Sequence, residues 1–147
     1  MRSFLAVLRT LADHGVDFVV VGGVAAVLRG APINTFDLVA VHSTELENVN
    51  RLLAALTELE AFYRFQPELR RRPDASHLGS PGHRLLMTKF GPLDVLGAIG
   101  KGRSYAGLLR DSTESDLGGG GGRTCRRLSW SCLAIQRRKL TDAPGPC

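Results

Sequence analysis

The chain reads as an α/β (α+β) domain, a small mixed sheet flanked by helices, on three observations. A short β-branched run, "VDFVVVGG", closes on two glycines; a second apolar run, "DLVAV", leads into a segment with helical periodicity; and two further strand-like runs, "HRLLMTK" and "LDVLGAI", flank the turn Phe90-Gly91-Pro92. At 147 residues the chain has the size of one domain, large enough to bury a core without disulfide staples.

Each element has its own warrant, in chain order. Phe4, Leu5, Leu8 and Leu11 fall at helical spacing and His14-Gly15 supplies a stop, so the chain opens with an amphipathic helix. "VDFVVVGG" predicts a strand buried on both faces. "VAAVLRG" then predicts a short helix ended by Gly30, which places Gly22 and Gly23 at a strand-to-helix turn. "APINTFDLVAVHS" predicts a loop and a second strand. Thr44 and Glu47 form a capping-box pattern for the next helix, whose Leu46, Val49, Leu52, Leu53, Leu56 and Leu59 share one face. Beyond Phe62, the stretch "RFQPELRRRPDASHLGSPG" is basic and turn-rich and predicts an exposed loop or a poorly formed strand. "SYAGLLRDS" reads as a short helix and "SWSCLAIQRRKL" as a final one. The expected organisation is a core over 1–117, a hinge at the five glycines of 118–122, and a basic segment over 123–147 that forms a truncated helix and tail.

With 44% hydrophobic and 22% charged residues, the composition excludes a chain disordered throughout. The net charge of +5 is concentrated in Arg70, Arg71 and Arg72 and in the C-terminal Arg123, Arg126, Arg127, Arg137, Arg138 and Lys139. Such clusters suit either solvated surface or an anionic partner. Cys125, Cys132 and Cys147 lack metal-type spacing and are odd in number, which reads as free thiols in a reducing cytosol. Arg9 interrupts the first apolar run before signal-peptide length, and no run reaches a membrane span, so a cytoplasmic location with no membrane partner is expected.

Two acidic residues inside apolar, strand-like runs need a reason. A buried carboxylate without a partner is costly and is usually neutralised or binds a cation, which singles out Asp37 and Asp94. A strand end reaching solvent or an arginine would also account for either one alone. The upstream Gly22-Gly23 turn adds to the case, because backbone N–H groups at such a turn can approach a phosphate while carboxylates hold the Mg²⁺ that bridges phosphates. In this order the features describe a site for a metal-bound nucleoside triphosphate. The dinucleotide-binding G-x-G-x-x-G and the G-x-x-x-x-G-K-[ST] phosphate loop are both absent. His42, His77 and His83 have no mutual spacing that marks a site.

"VDFVVVGGVAAVLRGAPINTFDLVAV" with the later "GPLDVLGAI" resembles the minimal bacterial nucleotidyltransferases of the DNA polymerase beta superfamily, including the toxin–antitoxin and abortive-infection types, over roughly residues 1 to 145. The resemblance implies a nucleotidyltransferase-like fold and a site in which Gly22 and Gly23 bind nucleotide phosphate while Asp37 and Asp94 are catalytic metal ligands. It implies Mg²⁺ as cofactor and a nucleoside triphosphate as substrate, with acceptor RNA, protein or small molecule, and a cognate protein partner for members of toxin–antitoxin type. Two metal ions in such sites clamp the triphosphate while an acceptor hydroxyl attacks the α-phosphorus and expels pyrophosphate.

The family pattern carries D-x-D, whose side chains at i and i+2 converge on one strand face. Here Val39 stands at the second position, so Asp37 is the remaining half of the pair. The family's lysine in a pattern like "LIAIKR" is replaced by Gln136 in "CLAIQR". Because loss of even an outer-shell partner costs about 10- to 100-fold, these departures predict impaired transfer or a catalytically inactive binding member of the same fold.

Overall fold

A computed structural model describes residues 2–21, 38–99, 103–110, 112–116 and 124–128 of the protein. The expected opening helix is α1 (Arg2–Asp13) and the Val-rich run is β1 (Phe18–Val21), buried along its whole length. They are followed by β2 (Leu38–His42), α2 (Leu46–Glu58), β3 (Phe62–Tyr63), a 3-10 turn (Pro67–Leu69), α3 (Ala75–Leu78), β4 (His83–Thr88) and β5 (Gly91–Leu96). The short strands β6 (Ala98–Ile99) and β7 (Arg103–Ser104) pair with each other, and α4 (Tyr105–Leu109), β8 (Ser112–Asp116) and β9 (Thr124–Leu128) complete the order.

Among the described residues, seven strands form one mixed sheet in the order β3-β4-β5-β2-β1-β9-β8. β2 runs antiparallel to β1 and parallel to β5, and β4 and β5 make the hairpin expected around Phe90-Gly91-Pro92. β8 and β9 lie at the far edge, with β9 parallel to β1. Those two strands were not legible in the sequence, since "STESD" and "TCRRL" carry little apolar alternation.

The pleat sorts the central strands into two faces. Leu38, Ala40, Leu86, Leu93 and Val95 alternate onto one of them and are at most 1% exposed. They join Leu8 and Leu11 of α1 and Val49, Leu52 and Leu56 of α2 in one apolar cluster, so this is the helix-covered face. Burying each such Leu or Val stabilises the fold by about 1.5–3 kcal/mol. On the other face Val39, Leu85, Met87, Pro92 and Asp94 are only half-buried. Farther along the same face Val41 and Leu96 are buried, so it is open only in part, around the row Val39–Asp94–Leu85.

α2 departs from expectation at its start. The helix is entered through Glu45, no side chain caps it, and the Thr44/Glu47 capping box does not form; Ser43 Oγ instead accepts from the Glu45 N–H at 3.3 Å. Leu46, expected on the buried face, is 70% exposed because it sits in the first turn, ahead of the sheet. Asn48 is buried in its place. Its Oδ1 accepts from the Asp17 N–H at 2.6 Å, and its Nδ2 donates to Asp17 O at 3.1 Å and Ser43 O at 2.8 Å. One amide thereby joins the entry to β1 and the exit from β2, satisfying the Asp17 N–H and Ser43 O beside the backbone bond from the Ser43 N–H to Asp17 O at 3.1 Å.

Candidate functional site

Asp94 lies at the middle of β5 on the open face, as a carboxylate within an apolar strand must if it is to meet anything polar. Its register partner on the parallel strand β2 is Val39, and on β4 it is Leu85. Register partners project to the same face, so position 39 stands beside the Asp94 carboxylate and offers it only methyl groups. Beyond Val39 the same row continues to Val21 on β1.

Asp94 is partnered by Arg64, just past β3. Arg64 Nη2 donates to Asp94 Oδ1, in a pair whose side chains are 24% and 15% exposed. The Arg64 N–H also donates to Leu85 O at 3.0 Å, which fixes the residue against the β4 edge. A guanidinium held this way neutralises a carboxylate that would otherwise be costly to bury. Arg64 was not singled out in the sequence; the only signal was a basic residue enclosed by aromatics in "FYRF".

Gly22, Gly23 and Asp37 lie outside the described residues, as do the glycine run 118–122, the helix expected over "SWSCLAIQRRKL" and Gln136. Of the four site residues read from the sequence, the described fold therefore places Asp94. In the sequence Asp37 immediately precedes β2, the strand that neighbours Asp94. Among the described residues no three His, Cys, Asp or Glu side chains gather as a metal group. A hard-oxygen donor suits Mg²⁺, but Val39 beside Asp94 and Arg64 upon it do not fit a clamp for two ions. Asp94 fits a share in a single ion once Arg64 gives way.

Of the three histidines set aside, His42 is buried on the helix-covered face, 1% exposed, with Nδ1 3.1 Å from Ser43 O. Burial lowers its pKa, with the Ser43 hydrogen bond opposing and the Arg84 charge adding to the effect. His77 pairs with Tyr63, whose hydroxyl lies 2.9 Å from Nδ1; burial raises the Tyr63 pKa.

The sheet and its helices form a nucleotidyltransferase-like α+β fold. The comparison behind that statement is with the crystal structure of a candidate nucleotidyltransferase from Thermotoga maritima, which is similar at a TM-score of 0.61 and 16% sequence identity over 96% of this chain and 86% of that one. No protein-family model and no curated protein matches the sequence. Among the described residues no helix is long and apolar enough to cross a membrane.

Proposed function

We propose that the open face of the sheet is a Mg²⁺-dependent nucleoside-triphosphate site, and that the protein transfers a nucleoside monophosphate from it to an acceptor hydroxyl at a rate impaired by Val39. The observation that carries this reading is Asp94, a largely buried carboxylate on the open face of a nucleotidyltransferase-like sheet, beside the strand that Asp37 precedes. In the proposed site Asp37 and Asp94 would hold the cation, and the Gly22-Gly23 backbone would bind the phosphates. The acceptor oxygen forms a bond to the α-phosphorus, the bond to the bridging oxygen breaks, pyrophosphate leaves, and the hydroxyl proton passes to a site carboxylate. Mg²⁺, when bound, neutralises phosphate charge and orients the triphosphate. The cytosol, where nucleoside triphosphates and Mg²⁺ are abundant, is the compartment this activity needs.

A second reading is favoured by the Val39–Asp94 register and by the Arg64 pair: a catalytically inactive member that binds nucleotide or a cognate protein partner, as a toxin–antitoxin component would. Titration of nucleoside triphosphate with and without Mg²⁺, read as thermal stabilisation, tests the nucleotide site of the first reading and of the nucleotide-binding form of the second. Transfer of an α-³²P-labelled nucleotide, abolished by Asp37→Asn or Asp94→Asn, separates them. No Mg²⁺-dependent nucleotide stabilisation would end the first reading and leave of the second only the partner-binding form.

A further inference from the structure

The loop between β3 and α3 builds a surface that the nucleotide site does not use. A groove of about 400 Å³ lies beside the edge strand β3, lined by Tyr63, Phe65, Gln66, Arg71, Arg72 and His77. Phe65 is 73% exposed. What sets it apart from a lone exposed apolar residue is that it lines a groove together with Tyr63 and two arginines.

The groove is fixed in shape by its own backbone. The Tyr63 N–H donates to Arg71 O at 2.8 Å, the Arg70 N–H closes the 3-10 turn on Pro67 O at 3.1 Å, and Gln66 and Arg70 hold φ values of 53° and 48° on either side of it. Left-handed backbone at two non-glycine residues is unfavourable and persists where the surroundings impose it. Tyr63 is held edge-on to His77, with ring centroids 5.8 Å apart at 71°, while Arg70 turns back over the Phe62 ring at 4.4 Å. Arg71 and Arg72 are the arginines among the residues that line the groove. The acids of this segment are Glu68 in the 3-10 turn and Asp74, whose carboxylate accepts from Ser76 and the His77 N–H at the start of α3.

Aromatic residues and arginines lining one groove match unpaired bases joined by phosphates, since every base has a face to stack and every linkage a charge. We propose that this groove binds a single-stranded polynucleotide segment, with a base stacked against Phe65 and Tyr63 and adjoining phosphates on Arg71 and Arg72. Binding of the strand stands without the nucleotide reading. The groove is a site apart from the proposed nucleotide site: Tyr63 pairs in register with Leu86 and so projects to the face opposite Asp94.

The test is fluorescence anisotropy of a labelled single-stranded RNA decamer with the full chain in chelator, where the proposed nucleotide site is idle. Phe65→Ala should weaken binding about fivefold or more, and Phe65→Trp should retain it. Arg71→Gln with Arg72→Gln should reduce the slope of log affinity against log salt by about 0.7 for each phosphate that the variant no longer neutralises. Phe65, Arg71 and Arg72 are all exposed, so these variants keep the fold. A duplex of the same sequence should bind more weakly and ignore Phe65→Ala. The proposal is overturned if Arg137→Gln with Arg138→Gln removes the binding while the groove variants do not. It is equally overturned if polyglutamate competes better than RNA, which would assign the groove to an acidic polypeptide. Mg²⁺-dependent nucleotide stabilisation, measured on the same variants, reports on the other site separately.

Discussion

Val39→Asp places a second carboxylate beside Asp94 and tests the site by its energetics. Backbones of neighbouring strands are about 4.8 Å apart, so two register-paired carboxylates about 5 Å apart repel by about 3 kcal/mol at an effective dielectric of about 20. Arg64, already bonded to Asp94, attracts both and offsets about half of this. Loss of the half-buried Val39 side chain adds about 1 kcal/mol. The variant should therefore lose about 2–3 kcal/mol in chelator, which for a chain of this length lowers Tm by about 5–10 °C. A cation held between the carboxylates reverses the loss, contributing about 2.7 kcal/mol at a free concentration a hundredfold above its Kd. Differential scanning fluorimetry of parent, Val39→Asp and the uncharged Val39→Asn, in chelator and across a Mg²⁺ series, measures all of these effects. Val39→Asp should show the steepest Mg²⁺ response and gain nucleotidyl transfer. A response no larger than the parent's would show that position 39 does not face a cation site, and the reasoning from the D-x-D pattern would fail.

Three further perturbations follow from the described interactions. Arg64→Ala removes the guanidinium from Asp94 and should cost about 1–3 kcal/mol in chelator by urea melts, while enlarging the Mg²⁺-induced rise in Tm; an unchanged Mg²⁺ response would remove Asp94 from the cation site. The folded-state pKa of His42 lies below its unfolded value near 6.5, so the unfolded chain takes up the proton first. The stability tied to neutral His42 is present above pH 6.5 and is lost as pH falls toward the folded value; urea melts between pH 7.5 and 5 should fall more steeply for the parent than for His42→Asn. Gly97→Ala brings a Cβ to 2.5 Å from Ser80 O and 2.7 Å from Pro81 Cα, both backbone atoms that cannot swing aside, and should lower the urea midpoint by the equivalent of about 1–3 kcal/mol.

Where side-chain periodicity was strong, the sequence and the fold agree. α1, β1, β2, the body of α2 and the β4–β5 hairpin stand where their apolar patterns put them, because each buries a face whose spacing is dictated by 3.6 or 2 residues per repeat. Asp94 was legible for the same reason, as a charge out of place in an alternating strand. Arg64 was not, since its role depends on β3 pairing with β4 and thus on contacts thirty residues away in the chain. The groove was hidden in a similar manner: "RFQPELRRRPD" has no periodicity, and left-handed backbone at Gln66 and Arg70 is not encoded by any glycine. Leu46 and the missing capping box show the converse, a correct pattern extended one turn too far.

The Asn48 amide has a consequence for the order in which the molecule assembles. Its three hydrogen bonds reach Asp17 and Ser43, which flank the β1–β2 pair, yet Asn48 itself belongs to α2. The strands join their ends by the bond from the Ser43 N–H to Asp17 O, but the Asp17 N–H and Ser43 O find the Asn48 amide only once the helix has docked, and the helix cannot bury that amide until the strands have met. Slipping β2 by one residue would break all of this and exchange Leu38 with Val39 between the two faces. Opening of this region is accordingly a joint event: the amide protons of Asp17, of β2 and of the first turns of α2 should exchange with solvent at one common rate, as a single cooperative unit. Asn48→Ala would split that rate in two, and the row on which Val39 meets Asp94 would lose the device that holds its alignment.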